Sequence, residues 1–353
     1  MDFSHFTAGK DDSDRRLDRV LRNFLSEENL SSIYKSLRKG LVKVNGKKCE
    51  GNFRVSEGDD IQIANFLLPQ NATSEEENQE KAGSSKKTGK QASSSIIIDS
   101  TVFKNDFILI LNKPYDMSVQ PSSPKGNSLS ELVQKEYEES HQKTSLSFKT
   151  GPLHRLDRKT TGLIAFSQNL EGAKWFSQAI KTHAVQKIYL AILEGNLSEE
   201  QVWEDYIEKL EISNEEAAVS NDTNLVARSE KGFHTVTVNS SADSGKFAHT
   251  EVSPLSHGFF NGKAITLARI LIKTGRTHQI RSQSAFHGFP LLGDTAYGGT
   301  KIDSKRLGQD FFLHAAELHI PADNPIGLPQ TIIAPPQKNF SDFIEKFISA
   351  RYN

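Results

Sequence analysis

The chain has 353 residues, 36% of them hydrophobic, and its 43 Lys and Arg stand against 44 Asp and Glu for a formal charge of −1. That length suggests two or three domains, and the balance excludes a chain that is polybasic or polyacidic throughout while leaving room for a local basic face. A single cysteine, Cys49, excludes a disulfide framework and a cysteine-based zinc site. Apolar runs such as Ile108-Leu109-Ile110-Leu111 fall far short of a membrane span, and Met1 to His5 lacks the basic-then-apolar layout of a signal peptide, so no membrane association and a cytoplasmic location are expected.

Leu17, Val20, Leu21, Phe24 and Leu25 recur at helical spacing, with Ser13 or Asp14 placed to cap the helix. A second helix is expected to open at Ser31 or Ser32, run through Ile33, Leu37 and Arg38, and stop at Gly40, because glycine readily takes the left-handed C′ conformation. Leu41-Val42-Lys43-Val44 alternates as a strand and Asn45-Gly46 is a strong hairpin signal. Gly58-Asp59-Asp60 then turns into a last strand, Ile61-Gln62-Ile63. Within residues 31–54 seven basic residues meet one acid, Glu50. Lys35, Arg38 and Lys39 fall at i, i+3 and i+4 on one helix face. Such a face is either simply solvated or a surface for phosphates.

Arg16-Leu17-Asp18, the run from Leu37 to Gly46 with its Arg-Lys-Gly and Val-Asn-Gly, and Gly58-Asp59 together resemble the S4 RNA-binding domain over about residues 14–64. The resemblance implies a helix pair and a small sheet that grip structured RNA. It makes Lys35, Arg38, Lys39, Lys43, Asn45 and Lys47 the candidate RNA contacts.

Residues 69–95 are Ser, Gln, Asn, Glu and Lys with almost no apolar side chains. They cannot bury enough surface to offset their ordering entropy, so a flexible linker is expected over 69–98. Beyond it the chain is strand-rich. Phe107 to Leu111 reads as a buried strand that Pro114 ends. A helix begins over Ser128 to Val133, and Gly162 to Phe166 is a second buried strand. Ala173, Trp175, Phe176 and Ile180 mark an amphipathic helix, and strands follow over Ile188 to Leu193 and Ile265 to Ile272. Phe340, Phe343, Ile344, Phe347 and Ile348 form a terminal helical stripe, with Ser341 near its cap. Residues 196–223 hold nine acids against Lys209 alone. An exposed acidic insertion over about 196–230, held away from RNA, is expected.

Two segments concentrate reactive side chains. One runs His154-Arg155-Leu156-Asp157-Arg158-Lys159-Thr160-Thr161-Gly162-Leu163. The other runs Thr274-Gly275-Arg276-Thr277-His278-Gln279-Ile280-Arg281, followed by Gly293-Asp294 and Tyr297-Gly298. Asp157 lies between Arg155 and Arg158, whose cations favour its ionised form. On residue types alone it is a nucleophile or half of a structural ion pair.

Together with Leu111-Asn112-Lys113-Pro114, Lys187-Ile188-Tyr189-Leu190-Ala191 and Phe312-Leu313-His314-Ala315, these segments resemble the pseudouridine synthases of the large-subunit RNA type, over roughly residues 100–347. The resemblance implies an α+β chain with an S4 (α-L-like) domain over 1–68. A catalytic domain follows over 99–353, built on a central, mostly antiparallel or mixed sheet. It implies isomerisation of uridine to pseudouridine in RNA. Large-subunit ribosomal RNA or a ribosomal precursor particle is the favoured partner and tRNA the alternative.

Asp157 falls on the catalytic aspartate, which attacks C1′ or promotes a glycal intermediate. Arg281 falls on the basic residue that pairs with it, Tyr189 on the tyrosine that stacks on the uracil, and Ile272 on the aliphatic position under the base. Arg155 lies in the motif whose arginine fills the space of the flipped nucleotide. His154, Arg276, His278 and Lys113 are further candidate substrate contacts. Because the isomerisation is redox-neutral, the resemblance implies neither metal nor cofactor, and a monomer is expected. A noncatalytic RNA-binding or ribosome-assembly factor and an N-glycosidic hydrolase are the competing readings. Intact Asp157, Tyr189 and Arg281 argue against the first, and the paired motifs around Asp157 and Arg281 against the second. The chain departs from the family pattern at Tyr115-Asp116, Thr161 and Gln283.

Replacing Lys35, Arg38 and Lys39 together with Ala is expected to weaken RNA binding and flatten its dependence on salt. An unchanged salt slope in a filter-binding titration would mean that this face is merely solvated.

Overall fold

The structure is a computed structural model that describes residues 2–348 apart from 23–24, 26–28, 69–95, 122–127, 141–144, 213–226, 230–231 and 240–244. The expected linker over 69–95, Phe24 and the acids of 213–226 lie outside the described residues. Two sheets organise the rest. The first holds β1 (Phe3–Thr7), β2 (Val42–Val44), β3 (Lys47–Lys48) and β4 (Asp60–Ala64) in the order β1-β4-β2-β3, all antiparallel. Helices α1 (Leu17–Leu21) and α2 (Leu30–Lys39) cover it, and Leu17, Leu21, Ile33 and Leu37 share one core with Val42, Val44, Ile61 and Ile63.

Helix α2 starts earlier than Ser31, because the Asn29 side chain accepts the Ser32 N–H at 3.0 Å and caps the turn. Gly40 closes the helix in the left-handed conformation, as its position suggested. The N-cap of α1 is Arg16, not Ser13 or Asp14; its guanidinium pairs with Asp18, while Tyr34 donates to the same carboxylate. Strand β1 carries no apolar alternation strong enough to be read ahead of the structure, since most of its side chains stay partly exposed against β4.

The second sheet takes eleven strands. They are β5 (Thr101–Lys104), β6 (Ile108–Lys113), β7 (Thr161–Ser167), β8 (Gln186–Glu194), β9 (Gln201–Ile212), β10 (Ala227–Ser229), β11 (Gly232–Asn239), β12 (Lys246–Phe260), β13 (Lys263–Ile272), β14 (Leu313–His319) and β15 (Thr331–Ile333). The order is β10-β11-β9-β12-β13-β8-β14-β7-β6-β5, with β15 on β14. Among the described residues only β7 and β14 pair in parallel, so the sheet is mixed and mostly antiparallel. Helices α3 (Leu129–Ser140), α4 (Leu170–Lys181), α5 (Gln279–Phe286), α6 (Ser304–Leu307) and α7 (Lys338–Phe347) pack around it.

The inner strands are covered on both faces, which explains their unbroken apolar runs. In β6, Leu109 and Leu111 enter one core while Ile108 and Ile110 enter the other. In β7, Ile164 and Phe166 alternate with Leu163 and Ala165 in the same way. Helix α7 lays Phe340 and Phe343 on Phe312, with the Phe343 ring 4.2 Å from it, so the terminal stripe is core packing. Ser341 lies within its first turn and donates to the Pro336 carbonyl; the cap is Gln337.

Two sequence expectations change. Residues 96–98, expected within the linker, belong to a helical stretch over 96–100, and Ile97 is buried in the large core. The acidic stretch is not a free excursion over its first half. Residues 201–212 form β9, where the period of two sends Trp203, Asp205 and Ile207 inward and leaves Val202 and Glu204 outside. The alternation of charge with single apolar residues hid this strand.

Gly162 stands at φ +108° beside the backbone of Ala315 in the parallel β7–β14 pair, and a Cβ there would run into that backbone. Gly162→Ala is expected to lower stability by at least ~2 kcal/mol in denaturant unfolding. A wild-type midpoint would contradict this packing.

Candidate active site

The loop before β7 carries Asp157 and is pinned on several sides. Asp157 accepts the Thr160 N–H through its own carbonyl at 3.1 Å, closing a tight turn. Arg158 pairs with Asp116 at 2.9 Å, and Lys159 pairs with Asp310. Lys113, fully buried at the end of β6, donates to the carbonyls of Pro114, Met117 and Arg158 at 3.0, 2.9 and 2.8 Å. Burial brings its ammonium down to about 7. An ammonium has three donors, and here all three are engaged with backbone, so Lys113 is a buttress of the Asp157 loop and not a substrate contact. Arg158 is likewise taken up by Asp116, so of the two flanking cations only Arg155 acts on Asp157. The departure at Tyr115-Asp116 supports this loop as well: the Tyr115 hydroxyl accepts the Asp310 N–H at 2.8 Å.

Facing this loop, α5 follows His278, which caps it in the left-handed conformation at φ 51°. One turn in, Arg281 meets two carboxylates. Its Nε and Nη2 donate to the two Asp294 oxygens at 2.6 and 2.9 Å, a forked pair. Its Nη1 faces Asp157 Oδ2 at 3.4 Å. The guanidinium lies 4.9 Å from the Tyr297 ring and 4.8 Å from the Phe311 ring. These contacts fix the plane of the group.

Asp294 is 2% exposed, whereas Asp157 keeps 25% of its side-chain exposure and opens onto a cleft. Burial pushes the Asp157 carboxyl up, but His278 when protonated, together with Arg281 and Arg155, more than offsets it, so it sits below the ordinary carboxylate range. Burial in turn holds the His278 imidazole below its usual range. Arg281 and Arg155 are therefore the cations that act on Asp157 at neutral pH. His278 Nδ1 lies 2.7 Å from the Tyr297 hydroxyl and its Nε2 3.8 Å from Asp157.

The cleft measures about 540 Å³. His154, Arg155, Asp157, Tyr189, Ile272, Arg276, His278 and Arg281 all line it, so these sequence candidates converge. Tyr189 and Ile272 come from adjacent strands β8 and β13, on the face that holds the large core. Burial, and then the Asp157 charge, raise the Tyr189 hydroxyl, which stays protonated. His154 accepts the Ala165 N–H at 3.1 Å, and burial takes its imidazole down to about 3, so it is a neutral wall of the cleft. Six Lys and Arg side chains line the space (Arg155, Lys181, Lys187, Lys273, Arg276 and Arg281) against Asp157 as the one carboxylate. That lining suits a polyanion.

Sequence reading missed Asp294, Tyr297 and Phe311 as supports of Arg281, although Gly293-Asp294 and Tyr297-Gly298 stood beside the second segment. It also missed Lys187, two residues before Tyr189 on the same strand face. The remaining departures from the family pattern are structural. Thr161 lies 2.8 Å from His314 Nδ1, while His314 Nε2 meets the Ala334 carbonyl at 3.0 Å. Gln283 is fully buried and bridges Thr250 and Asp205, each at 2.6 Å. Asp205 also binds His287 at 2.9 Å.

In the S4 domain, Lys35, Arg38 and Lys39 of α2 and Lys47 of β3 are exposed, and Lys43 lies 4.7 Å above the Phe3 ring. Asn45 behaves differently. Its amide donates to Asp59 and accepts the Asp60 N–H, at 2.8 and 2.9 Å, while Asn45 and Gly46 turn at φ 50° and 78°. Asn45 therefore holds the hairpin, and its side chain is already occupied. Among the described residues no group of three or more His, Cys, Asp or Glu is placed to hold a metal ion, and no helix is long and apolar enough to cross a membrane.

Asp294→Ala would strand a largely buried guanidinium beside one distant carboxylate. The expected loss is ~3 kcal/mol of unfolding free energy, measured in urea; a loss under ~1 kcal/mol would contradict the support role.

Comparison with known proteins gives these contacts a family. The family model for RNA pseudouridylate synthase matches residues 107–286, and that for the S4 domain matches 15–61. The ribosomal large subunit pseudouridine synthase C of Escherichia coli O6:H1 is 26% identical over 346 residues, covering 97% of this chain and 95% of the relative. The same-named protein of Haemophilus influenzae is 27% identical over 312 residues, covering 88% and 84%. The solved structure of human RNA pseudouridylate synthase domain containing 4 shares the fold at a TM-score of 0.53 and 19% identity, over 73% of this chain and 95% of that one. The chain belongs to the RNA pseudouridylate synthase family, an RNA-acting isomerase with an S4 domain ahead of its catalytic sheet.

Proposed function

We propose that this enzyme converts specific uridines to pseudouridine in the large-subunit ribosomal RNA, with Asp157 as the catalytic carboxylate. The observation that carries the reading is an ionised, partly open Asp157 held against Arg281 in a cationic cleft. The curated relatives that bear a large-subunit name span nearly the whole chain, and this supports the ribosomal target over tRNA. In the proposed organisation an S4 domain over 1–68 precedes a catalytic domain that begins at residue 96, and the enzyme works as a cytoplasmic monomer.

In the reaction the C1′–N1 bond breaks and a C1′–C5 bond forms. The proton lost from C5 is balanced by one gained at N1. Asp157 supplies the negative charge that the anomeric carbon needs, either as a nucleophile at C1′ or by promoting a glycal. Arg281 keeps that carboxylate ionised and aimed. Tyr189 and Ile272 make the wall against which the freed uracil turns, which keeps the base in place for C5 to rejoin the sugar. Water would complete a hydrolysis instead, and the enclosed aromatic and aliphatic wall disfavours it. Arg155, exposed at the rim, reaches toward the space vacated by the flipped nucleotide. Arg276 and His278 border the same cleft as substrate contacts.

Asp157→Asn is expected to abolish pseudouridine formation in extracted ribosomal RNA while leaving the RNA dissociation constant within about threefold. Because the folded carboxyl sits below its ordinary range, the wild-type kcat should hold from neutral pH down to about 5 and fall only below about 4. Full activity in the variant, or an acid limb near pH 6, would contradict the assignment.

A further inference from the structure

Nothing in the isomerisation asks the S4 domain to touch the catalytic domain. The structure instead shows a buried join. Asp12 is fully buried, in the turn after β1, and its nearest donors from outside that turn lie more than 130 residues along the chain. Oδ1 accepts the Ser145 hydroxyl at 2.8 Å and the Ser147 N–H at 2.9 Å, and it also takes the Ser147 hydroxyl. Oδ2 accepts the Leu146 N–H at 2.7 Å and the Gly9 N–H at 2.9 Å.

Five donors on one carboxylate are full compensation for burying a charge, and four of them come from the catalytic side. Leu146 packs against the core of the S4 domain from the same loop. Next door, Asp11 accepts the N–H of Leu170, the first residue of α4, at 3.1 Å. Neither partner could satisfy these groups alone without water. The carboxylate is too small to span a loose contact, so the join has one geometry.

We propose that Asp12 is a positioning residue that docks the S4 domain on the catalytic domain, so that the enzyme selects its uridine by a fixed span between the basic S4 surface and Asp157. This rests on the reading of the chain as a synthase of structured RNA. Two attachment points held rigidly act as one site only for an RNA whose spacing matches. A loose pair would accept many spacings with a lower effective concentration at each. A short stem-loop that reaches only the cleft gains nothing from the join.

The test uses the full chain with Asp12→Ala and, from the other side of the join, the Ser145→Ala/Ser147→Ala pair. Amide hydrogen exchange at Leu146 and Ser147 should quicken at least tenfold, while the strands of the S4 core keep their protection and so report a folded domain. On large-subunit ribosomal RNA, kcat/KM should fall about tenfold, mostly through KM. On a short stem-loop carrying the same uridine both parameters should stay within twofold. Unchanged exchange, or equal losses on the two RNAs, would overturn the proposal. If the wild-type enzyme leaves ribosomal RNA unmodified, the target reading fails by itself, and the exchange rates still decide whether Asp12 holds the join.

Discussion

The guanidinium of Arg281 offers five N–H donors in one plane and meets two carboxylates from that plane. Asp294 takes the fork and is buried; Asp157 receives the remaining edge and stays open to the cleft. The asymmetry suits the chemistry. A carboxylate fully paired with arginine would be satisfied and inert, and one left alone in a buried cleft would take up a proton. Asp157 lies between those limits, charged but with lone pairs to give. Tyr297 and Phe311, close to the guanidinium, keep it from swinging away when substrate arrives. A lysine there would deliver the charge without the plane.

The rest of the molecule serves that alignment. Arg281 sits one turn into a short helix whose start is fixed by Gln279, which accepts from Thr274 and the Arg276 N–H at 2.8 and 3.0 Å. The helix is anchored on the sheet through Gln283 and Asp205. On the opposite wall, Lys113 and Asp116 clamp the loop that holds Asp157. Each wall is therefore anchored by a buried polar side chain that a strand of the sheet supplies, Lys113 or Asp205, and a carboxylate and a guanidinium from residues 124 apart in the chain meet at 3.4 Å.

Much of this was legible in the sequence, and the limits have physical causes. Strands buried on both faces announce themselves as apolar runs, and the parts of β6, β7, β8 and β13 that were read from them fell where expected. Strand β9 did not, because one of its faces is acidic and exposed, and its inward residues include Asp205. Asp157, Tyr189 and Arg281 were legible only through the family resemblance. Residue types alone left Asp157 as either a nucleophile or half of a structural ion pair. Lys113 and Asn45 mark a different limit. A motif says that a residue matters, but not whether its polar atoms point at substrate or at the backbone. Hydrogen bonds decide that: the Lys113 ammonium is spent on loop carbonyls, and the Asn45 amide on Asp59 and the Asp60 N–H. The join at Asp12 left no trace in the sequence, since a lone aspartate and two serines far apart carry no pattern. Net charge behaved likewise: the near-neutral sum hides a basic S4 surface and a cleft with six cations against one carboxylate.

The account stands or falls on whether Arg281 acts by geometry as well as by charge. Single-turnover pseudouridine formation by Arg281→Lys, measured beside the RNA dissociation constant, separates the two. A rate lowered about 100-fold, or ~2.7 kcal/mol in activation free energy, with RNA affinity within twofold, is the result expected of a planar group that aims Asp157. A wild-type rate, or a loss confined to RNA binding, would contradict it.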